Sequence, residues 1–214
     1  WNNSNSLYIG GGSSGAGGSG TLNLNNSGLV TVSGTTKLGN GGTINLAGGN
    51  LTTGSFNNSD AGTLNFDNGT LTVNGASGSF NPGTAGFTID GSTATDLPEL
   101  VIAGTASTTL SGDLTVGSNK HGRLTVQSGG EVSNNRGHLG FNHGSTGIAT
   151  VTGTDSKWTN SGDLIVGDSG DGTLNIEQGA LVTTSLAGSV GRHGGTTGQV
   201  TVNSIGSTWN ITNN

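Results

Sequence analysis

A repeat of about fifty residues constrains this chain more than any other feature. The segment SGDLTVG at 111–117 recurs as SGDLIVG at 161–167, and only Thr115 and Ile165 differ between them. Apolar residues continue to match through both copies, in the pairs Leu124 and Leu174, Val126 and Ile176, Val132 and Val182, Val151 and Val202, and Trp158 and Trp209. Because self-similarity at a fixed period is typical of repeat architectures, the chain is expected to stack similar units.

The N-terminal region reads as a third copy of the same pattern. TLNLNNSGLV at 21–30 matches TLNIEQGALV at 173–182 once a five-residue loop insertion is allowed. Trp1 then takes the place that Trp158 and Trp209 hold in the other copies. The alignment predicts that Trp158 and Trp209 lie in one column two coils apart, packed into the core or its edge.

Each copy divides again into units of about 20–26 residues that hold three short extended segments. GTLNI at 172–176 and GQVTV at 198–202 occupy matching places in the two halves of one copy. Within such segments apolar and polar residues alternate, as Leu174 and Ile176 do with their neighbours. Alternation with a period of two indicates a strand with one buried face and one solvated face.

Short strands joined by frequent turns are compatible with an antiparallel sandwich or with a coiled solenoid. Repetition of the whole three-strand unit favours the solenoid, because equivalent residues then stack above one another. The predicted fold is all-β: a right-handed parallel β-helix of roughly nine coils, forming one continuous solenoid over residues 1–214. The chain begins without Met and is expected to be a segment of a longer repeat array.

The composition fits a narrow tube. Only 29% of the 214 residues are hydrophobic and 8% are charged, while 44 are Gly. A tube needs one or two inward apolar residues per strand, each contributing roughly 1.5–3 kcal/mol when buried. Gly and Asn at the corners supply the positive φ angles of tight turns. Asn side chains that follow Phe56 and Phe80 are expected to form amide ladders along the axis.

Charge and composition exclude several classes of partner. The net charge is −6 and the six basic residues are scattered, whereas a nucleic-acid interface needs a clustered positive face. No apolar run approaches the length of a membrane span. The chain has no Cys, which excludes a disulfide framework and thiolate metal sites. We therefore predict neither nucleic-acid binding nor membrane insertion by this segment.

The repeated Asp113 and Asp163 are expected to be architectural. The first copy has Ser6 at the equivalent position, and a place that accepts Asp or Ser before a strand is typical of a turn residue that hydrogen-bonds the backbone. A catalytic residue is needed once and should interrupt the repeat. No catalytic, cofactor-binding or metal-binding residue is predicted, and the chain is expected not to be an enzyme.

Some polar residues do interrupt the repeat. Asp168 and Asp171 lie in the Gly-rich turn GDSGDG, where carboxylates can bind calcium, but their spacing differs from that of known calcium loops. The four histidines lack the spacing of a metal site and are predicted to be solvated turn residues: His121, His138, His143 and His193.

Two stretches carry a resemblance to a known class of proteins. GDLIVGDSGDGTLNIEQGALVTT at 162–184 and GGTINLAGGNLTTGSFNNSDAGTLNFDNGTLTVNG at 41–75 resemble the passenger repeats of Gram-negative autotransporters and the related repeats of PEP-CTERM surface proteins. The resemblance covers nearly the whole chain. It implies a secreted β-helix at the exterior of the outer membrane that serves as an adhesin, a surface scaffold or, less often, an enzyme carrier.

Three functions follow from these features. The first is a non-enzymatic extracellular rod, which is expected to associate end to end and to bind a cell-surface glycan or a host surface. The second is a polysaccharide-binding or polysaccharide-degrading protein with a groove lined by Asp168, Asp171, Arg192 and His193. The third is a flat face able to order sugar or ice, formed by outward Thr and Asn pairs: Thr21 and Asn23, Thr43 and Asn45, Thr63 and Asn65, and Thr173 and Asn175.

Overall fold

The computed structural model describes residues 1–13 and 15–212, which form strands and turns and contain no helix. The strands are β1 (Asn2–Asn3), β2 (Leu7–Ile9), β3 (Gly11–Gly12), β4 (Gly15–Ala16), β5 (Gly20–Asn25), β6 (Leu29–Leu38), β7 (Gly42–Asn57), β8 (Thr63–Val73), β9 (Phe80–Asn81), β10 (Phe87–Ile89), β11 (Glu99–Ala103), β12 (Ser107–Thr109), β13 (Leu114–Val116), β14 (His121–Gln127), β15 (Glu131–Asn134), β16 (Gly137–Leu139), β17 (Thr146–Thr152), β18 (Lys157–Asn160), β19 (Leu164–Val166), β20 (Asp171–Glu177), β21 (Leu181–Thr184), β22 (Gly188–Val190), β23 (Gly198–Asn203) and β24 (Thr208–Ile211).

Each coil contributes one strand segment to each of three walls, in the order A, B, C. Wall A stacks β1, β6, β7, β8, β11, β14, β17, β20 and β23. Wall B stacks β2, the last parts of β6 and β7, β9, β12, β15, β18, β21 and β24. Wall C contains β5, the first parts of β7 and β8, β10, β13, β16, β19 and β22.

Pairing between coils is parallel in all three walls, and the one antiparallel pair in the described part of the chain is the β3–β4 hairpin. The predicted all-β parallel solenoid with three strands per coil is therefore confirmed. It has about eight turns, where the sequence predicted roughly nine coils.

The core consists of axial columns of inward side chains. Leu124 pairs with Ala149, which pairs with Leu174, so these two leucines lie in one wall A column two coils apart, as the repeat predicts. The same column continues through Val30, Leu51, Leu71 and Leu100. All of these side chains are buried, so each coil covers the apolar surface of its neighbours.

The first coil lies one wall away from the place that the sequence alignment predicts. Trp158 and Trp209 do share a wall B column, with Val182 between them, as predicted. Asn2, however, pairs with a strand of wall A, so the adjacent Trp1 belongs to wall A and is 63% exposed. The predicted equivalence of Trp1 with the other two tryptophans is wrong.

The segment TLNLNNSGLV is displaced in the same way. Leu22 pairs with Ile44 on wall C, whereas its predicted equivalent, Leu174, lies on wall A. The physical reason is that all three walls carry the same alternation of inward apolar and outward polar residues. A strand of one wall therefore aligns as well with a strand of another, and the alignment does not reveal the displacement.

Alternation of large and small side chains explains why the repeat spans two coils. Trp158 is completely buried, and its indole lies over Gly137 of the preceding coil, where an added Cβ would be 2.9 Å from Cζ2 of the ring. Trp209 covers Gly188 in the same way. The intervening coil carries the smaller Val182 at this place in the column. The same combination of large and small core side chains therefore recurs in every second coil.

Asparagine ladders form, but not where the sequence places them. The side-chain oxygens of Asn57 and Asn81 accept hydrogen bonds from backbone N–H groups two residues further along, within their own turns. A buried ladder instead joins Asn134 to Asn160, whose Nδ2···Oδ1 distance is 2.9 Å. Oδ1 of Asn134 also accepts the indole N–H of Trp158, at 2.7 Å. This network satisfies the polar atom of the largest core side chain.

Candidate functional site

A buried carboxylate between two histidines is the most concentrated group of titratable side chains in the described residues. Asp168 is 5% exposed. Its Oδ2 lies 3.2 Å from Nδ1 of His138, and its Oδ1 lies 3.4 Å from Nε2 of His193 and 3.8 Å from a guanidinium nitrogen of Arg192. We call these four residues the Asp168 cluster.

Stacked turns between walls C and A position the cluster. Gly140, Gly167 and Gly191 each have a φ between 64° and 78°, a conformation that suits glycine. The residue after each glycine donates its backbone N–H to the glycine carbonyl of the preceding coil. The N–H of Asp168 thus bonds to the carbonyl of Gly140, and the N–H of Arg192 bonds to the carbonyl of Gly167. His138 comes from β16, two coils before the turn that holds Arg192. Asp168 therefore lies between side chains of the coils on either side.

The contacts of Asp168 are those of a crosslink. Oδ2 contacts His138 of the preceding coil, and Oδ1 contacts His193 of the following coil. The His138 ring also packs edge-on against Phe141, with the ring centroids 5.0 Å apart. A buried carboxylate that contacts side chains of both neighbouring coils holds those coils together, because separating them leaves a buried charge unpaired. The cluster thus joins three successive coils at one corner of the solenoid.

The polysaccharide-degrading alternative places four residues in one groove, and the structure brings three of them together. Asp168, Arg192 and His193 meet, whereas Asp171 is exposed and its Oδ1 accepts the backbone N–H of Thr197 at 2.9 Å. In the described residues no group of three or more acidic or histidine side chains is arranged to hold a metal ion. The two carboxylates considered for calcium have different partners.

Two of the four histidines differ from the prediction that all are solvated turn residues. His138 lies within β16, is buried and contacts Asp168. His121 begins β14, and its Nε2 lies 2.8 Å from the carbonyl oxygen of Ala94. His143 and His193 are exposed in turns, as predicted. The fifty-residue repeat does not reveal this burial, because it aligns Ile165 with Thr115. In the structure His138 pairs in register with Ile165 of the next coil, which is also buried, so this outward-facing position is covered in both coils.

The repeated aspartates are turn residues that bind the backbone, as predicted. Oδ1 of Asp113 accepts the N–H of Arg136, and Oδ1 of Asp163 accepts the N–H of Ala187, at 3.1 and 3.0 Å. Each aspartate side chain therefore forms a hydrogen bond with the backbone of the next coil. Oγ of Ser6 likewise accepts an N–H of the next coil, although Ser6 precedes a wall B strand and the two aspartates precede wall C strands.

The predicted Thr and Asn face is split between two walls. On wall C the three threonines pair in order, and Nδ2 of Asn45 donates to Asn23 while Nδ2 of Asn65 donates to Asn45, at 2.6 and 2.7 Å. Thr173 and Asn175 lie on wall A, so the prediction is wrong for this pair. The continuous face spans three coils.

Replacing Asp168 by alanine is expected to loosen the turn at 191–197. The change leaves buried His138 without its acceptor and removes the side-chain contact of Arg192 and His193, which should cost about 1–3 kcal/mol in the free energy of unfolding. Hydrogen exchange followed by mass spectrometry should show faster exchange in 191–197. Asp67→Ala is the control, because Asp67 lies in β8, several coils away from the turn at 191–197. Equal exchange in the two variants would contradict the crosslinking role.

No helix in the described part of the chain is long and apolar enough to cross a membrane. Comparison with known protein families, with curated proteins and with solved structures finds no match to this chain.

Proposed function

We propose that the chain is a non-enzymatic structural rod that works outside the cell, as part of a surface scaffold, an adhesin or a fibre. The observation that carries the proposal is the use of polar side chains between coils. The Asp168 cluster, the repeated aspartates and both asparagine ladders all bond from one coil to another. About eight steps of strand spacing give a length on the order of 40 Å.

Two ion pairs at the surface, one half-buried and one exposed, also join neighbouring coils. Lys37 and Asp60 belong to neighbouring coils with N and O 3.0 Å apart, and Lys157 and Glu131 do so at 2.8 Å. The hydrogen bond from Lys37 lowers the pKa of the Asp60 carboxyl, and the hydrogen bond to Glu131 raises the pKa of Lys157. Ion pairs in contact with solvent add little stability, so these pairs contribute more to the axial register than to the free energy of folding.

An extracellular location is supported by the resemblance to autotransporter passenger repeats, and the absence of Cys is compatible with it. A chain without thiols folds in the same way in an oxidising or a reducing compartment. Dense pairing of parallel strands also leaves few unpaired backbone segments for proteases to bind. Both points fit a secreted rod at the exterior of a Gram-negative outer membrane.

Incubation with polysaccharides separates the structural proposal from the polysaccharide-degrading alternative. The purified chain is mixed with pectin, alginate, chitin and cellulose, and reducing ends and bound protein are measured. We expect no release of reducing ends, and equal results for the chain and its His193→Ala variant. Release of reducing ends by the chain that His193→Ala abolishes would overturn the structural proposal in favour of an enzyme.

A glycan partner is a second candidate for the exposed wall C face. Thr21, Asn23, Thr63 and Asn65 are exposed, and the amide ladder orients its side chains in one direction. Such a row of hydroxyl and amide groups matches the hydrogen-bonding groups of a sugar chain. Retention of the protein on one of the same polysaccharides, without cleavage, would support this role.

For a segment that ends at this coil, we propose end-to-end self-association as the partner interaction. Strands β22, β23 and β24 have no neighbour on their outer side within the described residues, and their core columns are open there. Val190, Val202 and Ile211 are between 48% and 49% exposed. A second copy that continues the coils would cover these side chains and pair the three open edges.

Ile211→Lys is expected to abolish that association. The charged side chain would enter the core column that Thr184 occupies in the preceding coil, so stacking of a second copy would bury an unpaired ammonium group. Ile205→Lys is the matched control, because Ile205 lies in a turn and is 101% exposed. Light scattering over a concentration series should show a rising mass for the parent and the control only. A constant monomer mass for the parent contradicts self-association.

A further inference from the structure

Wall C is interrupted at one place. The first part of β8, from Thr63 to Phe66, pairs with β7 on one side, and β10 pairs with β13 on its far side. Although these two segments belong to consecutive coils, no pairing joins them in the described structure. Elsewhere in wall C, consecutive strands are hydrogen-bonded. The interruption leaves two parallel strand edges facing each other.

A groove of about 400 Å³ opens between the two edges. Its apolar lining comes from Leu64, Pro82 and Phe87, and hydroxyl groups at Thr84 and Thr88 lie on exposed residues. Among the residues that the structure describes, no charged side chain lines the groove. The pattern of apolar and hydroxyl-bearing residues is the one that strands of this solenoid show on their inner and outer faces.

Backbone groups of β10 are directed into the groove. The N–H of Phe87 bonds to Asp113, and the carbonyl of Ile89 accepts the N–H of Gly117, so both residues face the next coil. Alternate residues of a parallel strand bond to opposite sides, which turns the N–H and C=O of Thr88 toward β8. An unpaired edge of this kind is a template for another strand.

Asn58 marks the end of the groove with an incomplete hydrogen-bond set. Its Nδ2 donates to the carbonyls of Gly62 and Pro82, both at 3.1 Å, and so joins the two sides. Its Oδ1 is buried and accepts no hydrogen bond from any of the described residues, and the residue as a whole is 7% exposed. A buried amide oxygen without a donor is uncommon and indicates a place where a donor is missing.

We propose that this groove binds an uncharged extended segment of a partner protein, which adds as a parallel strand between β8 and β10. At strand dimensions, about 400 Å³ holds roughly two to three extended residues, similar to the length of β10. Main-chain hydrogen bonds to the two edges supply affinity, and one inward apolar side chain between Leu64 and Phe87 supplies selectivity. The lack of charge in the lining disfavours a charged segment, because its charge would be buried without a partner of opposite sign.

Fluorescence anisotropy with a labelled peptide tests the proposal. The probe is Gly-Thr-Ile-Asn-Leu-Ala-Gly, the sequence of residues 42–48, because that segment already pairs in parallel with β8 on its other edge. We expect saturable binding by the parent chain. Thr88→Pro removes the N–H that faces the groove and should weaken binding about tenfold or more, while Thr88→Ala keeps that N–H and should bind within about twofold of the parent.

Controls locate the peptide and report on folding. Melting followed by circular dichroism shows whether Thr88→Pro is folded, and Thr84→Trp, which fills the exposed rim, is the second blocking variant. Hydrogen exchange should slow in 62–66 and 86–89 when the peptide is added. The proposal is overturned if the peptide fails to bind at millimolar concentration, if folded blocking variants bind as the parent does, if Gly-Thr-Lys-Asn-Glu-Ala-Gly binds equally well, or if protection appears at β22–β24 instead.

Discussion

Replacing Trp158 by alanine lowers the free energy of unfolding by about 3–5 kcal/mol, the range measured for removing a large aromatic side chain from a core. The indole is fully buried and donates its N–H to Asn134. Its loss leaves a cavity over Gly137 and removes the donor from a buried amide oxygen. Because the coils above and below are rigidly paired, the site has little freedom to collapse.

Denaturant unfolding measures this loss, with Trp209→Ala as the matched control. Trp209 lies in the same column and bonds through its indole N–H to Thr184, but it is only partly buried. Its replacement should cost clearly less. Equal losses for the two variants would mean that burial in the column is not what stabilises the coil.

Gly137→Ala is the second large effect and acts by overpacking. A Cβ at this position would lie 2.6 Å from Oδ1 of Asn160, 2.7 Å from Cδ1 of Leu164 and 2.9 Å from the ring of Trp158. None of these atoms is the free end of a flexible surface side chain. We expect a loss of about 1–3 kcal/mol in the free energy of unfolding.

Gly194→Ala is the control for this variant, since no atom of the described residues 1–13 and 15–212 lies within 4 Å of its added Cβ. It should be neutral or nearly so. In the double variant with Trp158→Phe, part of the Gly137→Ala loss should disappear, because the smaller ring leaves room for the methyl group. Strict additivity of the two losses in thermal or denaturant unfolding would contradict direct packing between them.

The sequence predicts most of the fold because stacking makes equivalent residues share an environment. Leu124 and Leu174 lie in one column, and Asp113 and Asp163 make equivalent bonds to the backbone of the next coil. Periodicity alone does not distinguish the walls. Trp1 is placed one wall from its prediction, since strands of walls A and B carry the same alternation.

The candidate sites are less predictable because they depend on neighbours in other coils. His138 looks like a turn residue in the sequence, and its burial follows from the coils that bring Asp168 and Phe141 against it. The groove beside β10 arises from a missing pairing between consecutive coils, which leaves no trace in the alternation of FTI at 87–89. The local sequence pattern predicts a strand, but it does not predict how far that strand lies from the strand of the neighbouring coil.

The packing of Trp158 and Trp209 over glycines also restricts how such a molecule can change in length. Deleting or duplicating one coil near Trp158 would bring two bulky layers or two thin layers into succession, producing either a collision or a void. Gain or loss of a matched pair of coils keeps every layer complementary to the next. The smallest unit that this part of the chain can gain or lose without disturbing its core packing is therefore a pair of coils, about fifty residues long. This accounts for the fifty-residue spacing of the sequence repeat.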